Sequence, residues 1–375
     1  MYINHSVFSQ FINSTANTRD MEKEITYSEV GVDRNLRAAS KASLSDLGYS
    51  NEIERIKLPY NTIYPIGENK YQDHVIEGIG TKVLFAQLAN KFDTIGIDAV
   101  AMTVNDIIRS GAKPISLTDN IDIHKSEAAL IGKLLKGIEE GTRQAEVNIV
   151  GGEIADVKEL ITGISENPFH IICSCVGQME KKDIIWGNNL EFDDVIIGLR
   201  SSGLHSNGIS LARKILFKKW GGKYKPFDIP DGFDRELIYE ALEPTKIYVE
   251  PVMRVAKKYG IKAAVHITGD AYLKFDKLME GNKNIGFEFN NFRPQPIFQL
   301  IKDTATHLNK KLTDKELFKT FNLGWGFSLI VSKDDKDDVL DCIEKNNRVE
   351  ADIIGRINFS GYITASFNGS KIRLK

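Results

Sequence analysis

The sequence predicts a mixed α/β (α+β) protein built from two domains of similar size. Short apolar runs such as VIIGL (195–199), AAVHI (263–267) and FSLIV (327–331) have the length of buried strands. They alternate with stretches of helical periodicity in both halves of the chain, as in domains that layer helices on sheets. Between the halves lies KKDIIWGNNLEFDD (181–194), charged and turn-rich, after which the order restarts. At about 150 residues per domain, 375 residues make two domains. The expected division is a tail or accessory helix over 1–24, a first domain over 25–183 and a second over 184–375.

Each element follows from its letters. KLPYNTIYPIG (57–67) reads as extended chain with a proline near each end. Val100, Val104, Ile107 and Ile108 recur at helical spacing and stop at Gly111, with Pro114 beyond. ISLTDNIDI (115–123) follows as a strand. Residues 127–145 carry Ala128, Ile131, Leu134, Leu135 and Ile138 on one stripe, the clearest amphipathic helix in the chain. VNIVGG (147–152) and HIICSCVGQM (170–179) read as strands. The second half gives strand 194–199, helix 208–219, helix 245–259, strand 262–267 and a helix near 335–346, where Val339, Leu340 and Ile343 face inward.

Composition excludes several classes. Hydrophobic residues make up 42% and charged residues 27%, which are globular values. Lys+Arg 49 against Asp+Glu 51 gives −2, and the pI is near 6.4, so there is no electrostatic footprint for nucleic acid or an anionic membrane. No apolar run reaches the roughly 18 residues of a membrane helix. The first twenty residues do not read as a secretory signal, and three cysteines make no disulfide framework, so a reducing, cytoplasmic setting is expected.

Two stretches carry candidate chemistry. In GLRSSGLHSNGISLARKIL (198–216) a buried strand runs into a loop with Ser201, Ser202, His205, Ser206 and Asn207, then into a helix. Glycines that turn N–H groups outward, beside a helix start, make a seat for an anion, with His205 at its mouth to move a proton near neutral pH. Ser206 or Asn207 acting only as a helix cap, with a solvated His205, fits the same letters. The second stretch is a run of acids among glycines: Glu77 and Lys82 in EGIGTK, Asp93 and Asp98 in FDTIGID, Asn105 and Asp106 in VNDIIRSGA, Asp119 in TDN, Glu153 and Asp156 in IVGGEIAD. Carboxylates bring Mg²⁺ to nucleotide phosphates, because that hard cation takes oxygen ligands. Each acid taken singly reads better as a solvated surface charge, and the cluster is more informative than its members. No GxxxxGK[ST] loop is present, so the residues reach phosphate and metal, with ATP as the nucleotide, and go no further.

The remaining candidates read as structural. Cys173 and Cys175 face one side of a strand as small buried residues, with Cys342 distant in sequence. His266, at the end of VHITGD, reads as packing rather than a metal ligand. Trp325, between Gly324 and Gly326, reads as a close-packed turn, and KKWGGKYK (218–225) as a solvated one.

EGIGTK, FDTIGIDAVAMTVNDIIRSGAKPI, IVGGEIAD, GLRSSGLHSNGISLARKIL, EPTKIYVEPV, AVHITGD and FNLGWGF occur in the order seen in the aminoimidazole ribonucleotide (AIR) synthetase family, the phosphoribosylformylglycinamidine cyclo-ligases of purine biosynthesis. TYSEVGVD (26–33) is similar to that family's opening, so the resemblance covers about residues 26–357. SSGLHSNG is its most specific piece. Selenophosphate synthetase, thiamine-monophosphate kinase and the hydrogenase maturation factor share the glycine-and-acid motifs without this loop.

The resemblance implies a two-domain AIR-synthetase-like fold in a homodimer, the N-terminal half joining its mate in a β-barrel. It implies ATP-dependent closure of formylglycinamidine ribonucleotide (FGAM) to AIR, with ADP and phosphate released. Glu77 and Asp106, with Glu153 as a third, would hold Mg²⁺; Lys82, Thr81, Asn105 and Asp93 would bind the nucleotide. His205 would act on the substrate amide, and Ser201, Ser202, Ser206 and Asn207 would line the adjacent anion seat. The partners implied are FGAM and ATP, with neither nucleic acid nor membrane. Another small-molecule kinase of this architecture, or a degenerate nucleotide-binding paralogue, are the rival readings. Three departures stand out: Glu77 where the family has Asp, HITGDAYL with Asp270 where it has HITGGG, and NEIERIKLPYNTIYPIGENK (51–70) in place of a glycine-rich stretch.

Overall fold

The computed structural model describes residues 23–42, 54–282, 284–345 and 349–375. Most of the expected 1–24 tail therefore lies outside the described residues, and no helix among those described is long and apolar enough to cross a membrane. The strands are β1 (Lys23–Glu24), β2 (Ile56–Lys57), β3 (Thr62–Gly67), β4 (Lys70–Gly78), β5 (Lys113–Ile123), β6 (Asn148–Asp156), β7 (Phe169–Glu180), β8 (Val195–Arg200), β9 (Ala263–His266), β10 (Gly286–Phe289), β11 (Lys310–Lys311), β12 (Trp325–Val331), β13 (Ala351–Asn358), β14 (Ile363–Phe367) and β15 (Ser370–Arg373). The helices are α1 (Arg34–Ala42), α2 (Val83–Ala89), α3 (Ile95–Ile107), α4 (Ala128–Ala145), α5 (Ile209–Leu216), α6 (Leu237–Ala241), α7 (Val249–Ala256), α8 (Asp276–Gly281), α9 (Pro296–His307), α10 (Asp314–Thr320) and α11 (Lys336–Glu344).

The first half is a six-stranded mixed sheet in the order β2-β3-β4-β7-β5-β6. In β7, Phe169, Ile171, Cys173, Cys175 and Met179 are buried while their neighbours are half exposed, the alternation of a sheet with one covered face. α3 covers that face and is itself covered by α4. Gly96 and Gly137 let these two helices touch backbone to backbone: a Cβ on Gly96 would lie 2.6 Å from the Leu134 carbonyl oxygen. The predicted stripe on α3 is right, yet every residue from Ile95 to Ile107 is buried, including Asp98, Asn105 and Asp106. A helix buried all round needs partners for its polar side, and the second half supplies them.

The second half is a seven-stranded sheet, β15-β14-β10-β13-β8-β12-β9. Its central strands β8 and β12 are buried almost throughout, which is why they read as continuous apolar runs. Trp325 begins β12 rather than forming a turn, and its indole N–H donates to the Asn291 carbonyl. The 181–194 stretch is a packed connection: Ile184, Ile185 and Leu190 are buried in a core continuous across both halves. Residues 23–37 lie against the second half. β1 pairs with β11, the Tyr27 N–H donates to Glu316, and Arg34 reaches Glu316, Thr320 and the Lys319 carbonyl.

Candidate functional site

A cleft of about 510 Å³ opens where the two halves and the N-terminal segment meet. Glu77, Gly80 and Thr81 line it from the first half, Ser206, Asn207 and Ser210 from the second, and Asp33 and Arg37 from the segment. The Thr81 and Ser210 hydroxyls lie 3.2 Å apart across the junction. Asn207 reaches the HITG loop, where a Cβ on Gly269 would meet its side-chain oxygen at 3.4 Å. Both facing loops hold non-glycine residues at positive φ, His205 at 58° and Asp270 at 66°, a conformation retained where surrounding contacts enforce it.

Beneath the cleft a buried network joins the halves. Asp98, fully buried, accepts at Oδ1 from Lys82 Nζ (2.8 Å), the Thr245 N–H (2.9 Å), the Thr245 hydroxyl (2.6 Å) and the Ser206 hydroxyl (3.0 Å). Lys82 also donates to the Glu243 carbonyl at 2.7 Å. Asn105 clamps the same loop, donating to the Lys246 carbonyl and accepting from the Tyr248 N–H. Asp98 Oδ2 is buried without a hydrogen-bond partner. The sequence marked Asp98 only as one acid in a run. Its role rests on residues 16 to 147 positions away, which no local pattern reports.

His205 is turned inward, 1% exposed. The expected mouth position, and its alternative as a solvated loop residue, both give way to a histidine packed between Tyr248 and Gly326. Its Nε2 accepts from the Ser202 N–H at 3.1 Å, so the neutral ring carries its proton on Nδ1, which has no partner. Burial, helped by Lys82 nearby, holds its pKa well below the usual histidine range. Ser206 and Asn207 do not cap α5; Gly208 at φ 72° takes that position, and Ser206 is held by Asp98 instead. Ser201 bonds to Gln295 and Asn322, and Ser202 to the Pro244 carbonyl, so both brace the loop from within.

The acids separate. Glu77 and Asp119 flank Cys173 on the covered face of the first sheet, whereas Glu153 pairs with Asn120 on the opposite face. Burial raises the Asp119 carboxyl above its usual range. Asp106 sits behind the cleft, paired with Arg109 (2.9 Å) and with His266 Nδ1 (2.7 Å). Burial opposes ionisation of Asp106, but these partners hold its carboxyl below the usual range. His266 is pushed down to about 4 by burial, and its Nε2 has no partner. Asp93 is at the surface, 2.8 Å from Lys91. Among the described residues no three His, Cys, Asp or Glu side chains gather as a preformed metal site. Cys173, Cys175 and Cys342 are free and buried.

Asp270 accounts for its own departure. Its carboxylate accepts from Arg34 Nε at 3.0 Å and so helps tie the N-terminal segment to the second half.

Residues 61–179 match the AIR synthase related protein N-terminal domain family, and residues 192–366 the corresponding C-terminal domain family. A phosphoribosylformylglycinamidine cyclo-ligase of Methanocaldococcus jannaschii is 35% identical over 359 residues, covering 93% of this chain and 95% of that one. One of Bacillus cereus is 39% identical over 294 residues, 78% of this chain and 81% of the other. In solved structures the fold recurs in the HypE–HypF complex (TM-score 0.60, 18% identity, 90% and 99% covered) and in thiamine monophosphate kinase from Aquifex aeolicus (0.55, 17%, 90% and 97%). With both domain families matched in order and relatives above 30% identity along most of its length, this chain belongs to the phosphoribosylformylglycinamidine cyclo-ligase family.

Proposed function

We propose that this protein catalyses the ATP-dependent ring closure of FGAM to AIR, releasing ADP and phosphate. The observation that carries the reading is the cleft shared by the two halves, with a carboxylate and hydroxyl on one wall and the SSGLHSNG loop on the other. A formamide oxygen is a poor leaving group. Transfer of the terminal phosphoryl group of ATP to that oxygen gives an imidate phosphate. The amidine nitrogen then attacks the same carbon, the C–O bond breaks, and phosphate leaves with the oxygen. Holding both reacting ends of one substrate in the cleft supplies proximity. The resemblance gives His205 the role of acting on the amide; in this structure its ring is buried behind the cleft lining with Nδ1–H unpartnered, so that role requires the loop to turn it toward the substrate. Lys82, Asn105 and Asp98 hold the two walls in register. Thr81 and Asn207 offer hydroxyl and amide donors to phosphate, while the Ser206 proton goes to Asp98 and Asp93, paired with Lys91, lies outside the cleft lining.

Of the three acids of the family pattern, Glu77 brings carboxylate oxygen to the cleft wall, whereas Asp106 is engaged by Arg109 and His266 and Glu153 stands on the opposite face of the sheet, so in this arrangement the three do not form one magnesium site and Glu77 is the residue that would meet the ion. When bound, Mg²⁺ would neutralise charge on the phosphates. A homodimer fits the first sheet, whose edge strand β6 leaves Ile149, Val150 (63% exposed) and Ile154 in solvent, and whose outer face exposes Ile76 (66%). The test combines purified protein, ATP, Mg²⁺ and FGAM, with ADP release and an arylamine product that gives a diazo-coupling colour. Colour in step with ADP supports the reading. Well-folded protein that forms a phosphorylated, uncyclised product, or none, overturns it.

A further inference from the structure

We infer that Arg37 is a phosphate-binding residue of the cleft, delivered there by an anchor built from Arg34 and Asp270. This rests on the cyclo-ligase reading and names a group that reading did not contain. Arg34 and Arg37 stand one turn apart on α1. The Arg34 guanidinium is consumed by the protein: Nε donates to Asp270 (3.0 Å), one terminal nitrogen to Glu316 (3.0 Å), the other to the Lys319 carbonyl (2.9 Å) and the Thr320 hydroxyl (3.0 Å). The Tyr27 ring packs against it at 5.3 Å. Asp33 caps the helix, accepting from the Asn35 and Leu36 N–H groups, so its charge is engaged. The start of α1 is thus fixed on the second half. Arg37 lines the cleft with Thr81, Ser206, Asn207 and Ser210, and among the described residues its guanidinium has neither a hydrogen bond nor an ion pair. A planar, permanently charged fork beside three hydroxyls and an amide is a phosphate site in its chemistry. Asp270, which replaces a glycine of the family pattern, places its carboxylate on Arg34, so it serves the anchor.

Both substrates carry phosphate, and the experiment separates them. In the full-length protein, Arg37→Ala and Arg37→Lys are compared with wild type for kcat and for KM toward ATP and toward FGAM, with calorimetric titration of each ligand alongside. The expected result is a rise of about tenfold in KM and Kd for one of the two, kcat within about twofold, partial recovery in Arg37→Lys, and an unchanged melting temperature. The ligand affected identifies the phosphate. Arg34→Ala should weaken the same ligand, and Arg34→Ala/Arg37→Ala should be no worse than Arg37→Ala alone. Unchanged KM and Kd for both ligands in Arg37→Ala overturns the inference. A wild type that binds both ligands without cyclising overturns the cyclo-ligase reading instead, while the binding arm still decides the role of Arg37.

Discussion

Replacing Lys82 by methionine removes the ammonium that Asp98 contacts at 2.8 Å in a site where both side chains are fully buried. Breaking a buried pair from one side costs about 3–5 kcal/mol, because the remaining charge stays out of water. Asp98 keeps three donors, the Thr245 N–H, the Thr245 hydroxyl and the Ser206 hydroxyl, so the lower end, about 3 kcal/mol, is expected. Two of those donors come from Thr245 and one from Ser206, all in the second half, so the loss falls on the junction between the halves. Urea unfolding followed by tryptophan fluorescence measures it; Trp186, Trp220 and Trp325 lie at the connection and in the second half. Adding Asp98→Asn to Lys82→Met removes the stranded charge and should recover about 2 kcal/mol relative to the sum of the two single changes. A Lys82→Met protein within about 1 kcal/mol of wild type, or strictly additive single and double variants, would refute the argument.

Burial raises the Asp73 carboxyl to about 6, against the donors Ser110 and Asn61. A folded pKa above the unfolded one makes this group's contribution most favourable at low pH and lost as pH climbs from about 4 to 6. Asp73→Asn keeps both accepted hydrogen bonds. Wild type should therefore gain on this variant by up to about 3 kcal/mol between pH 7 and pH 4, read from urea midpoints; a pH-independent difference contradicts it. Gly326→Ala drives a methyl into the Tyr248 hydroxyl and the His205 ring, and should cost about 1–3 kcal/mol in thermal unfolding while lowering kcat. Normal stability and turnover would show that this packing is slack. Glu77→Ala should raise the Mg²⁺ concentration for half-maximal activity by about tenfold, measured by metal titration at saturating ATP, and an unchanged midpoint removes Glu77 from the metal site.

Much of the fold was legible because it is local. The β7 alternation, the stop at Gly111 and the existence of α4 arise within a few residues, where side-chain period and backbone preference act together; the stripe on α4 is only half right, since Leu134 and Ile138 are buried but Ala128 and Leu135 are exposed and Leu130 and Gly137 take the inward face. The cleft residues Glu77, Thr81, Ser206 and Asn207 were legible as motifs, and the structure brings these four to one wall-to-wall space. Arg37 was missed, since a surface arginine on a short helix carries no signal until its neighbours are known.

By itself the sequence determined two sheet-and-helix halves, their order and the family motifs, since hydrophobic period and turn chemistry are properties of adjacent letters. Only the tertiary structure decided that His205 is a buried neutral imidazole, that Glu153 and Glu77 stand on opposite faces of one sheet, and that Asp270 holds Arg34. Those outcomes depend on burial and on partners 33 to 236 residues away, where desolvation and a single well-placed donor set the state of a side chain.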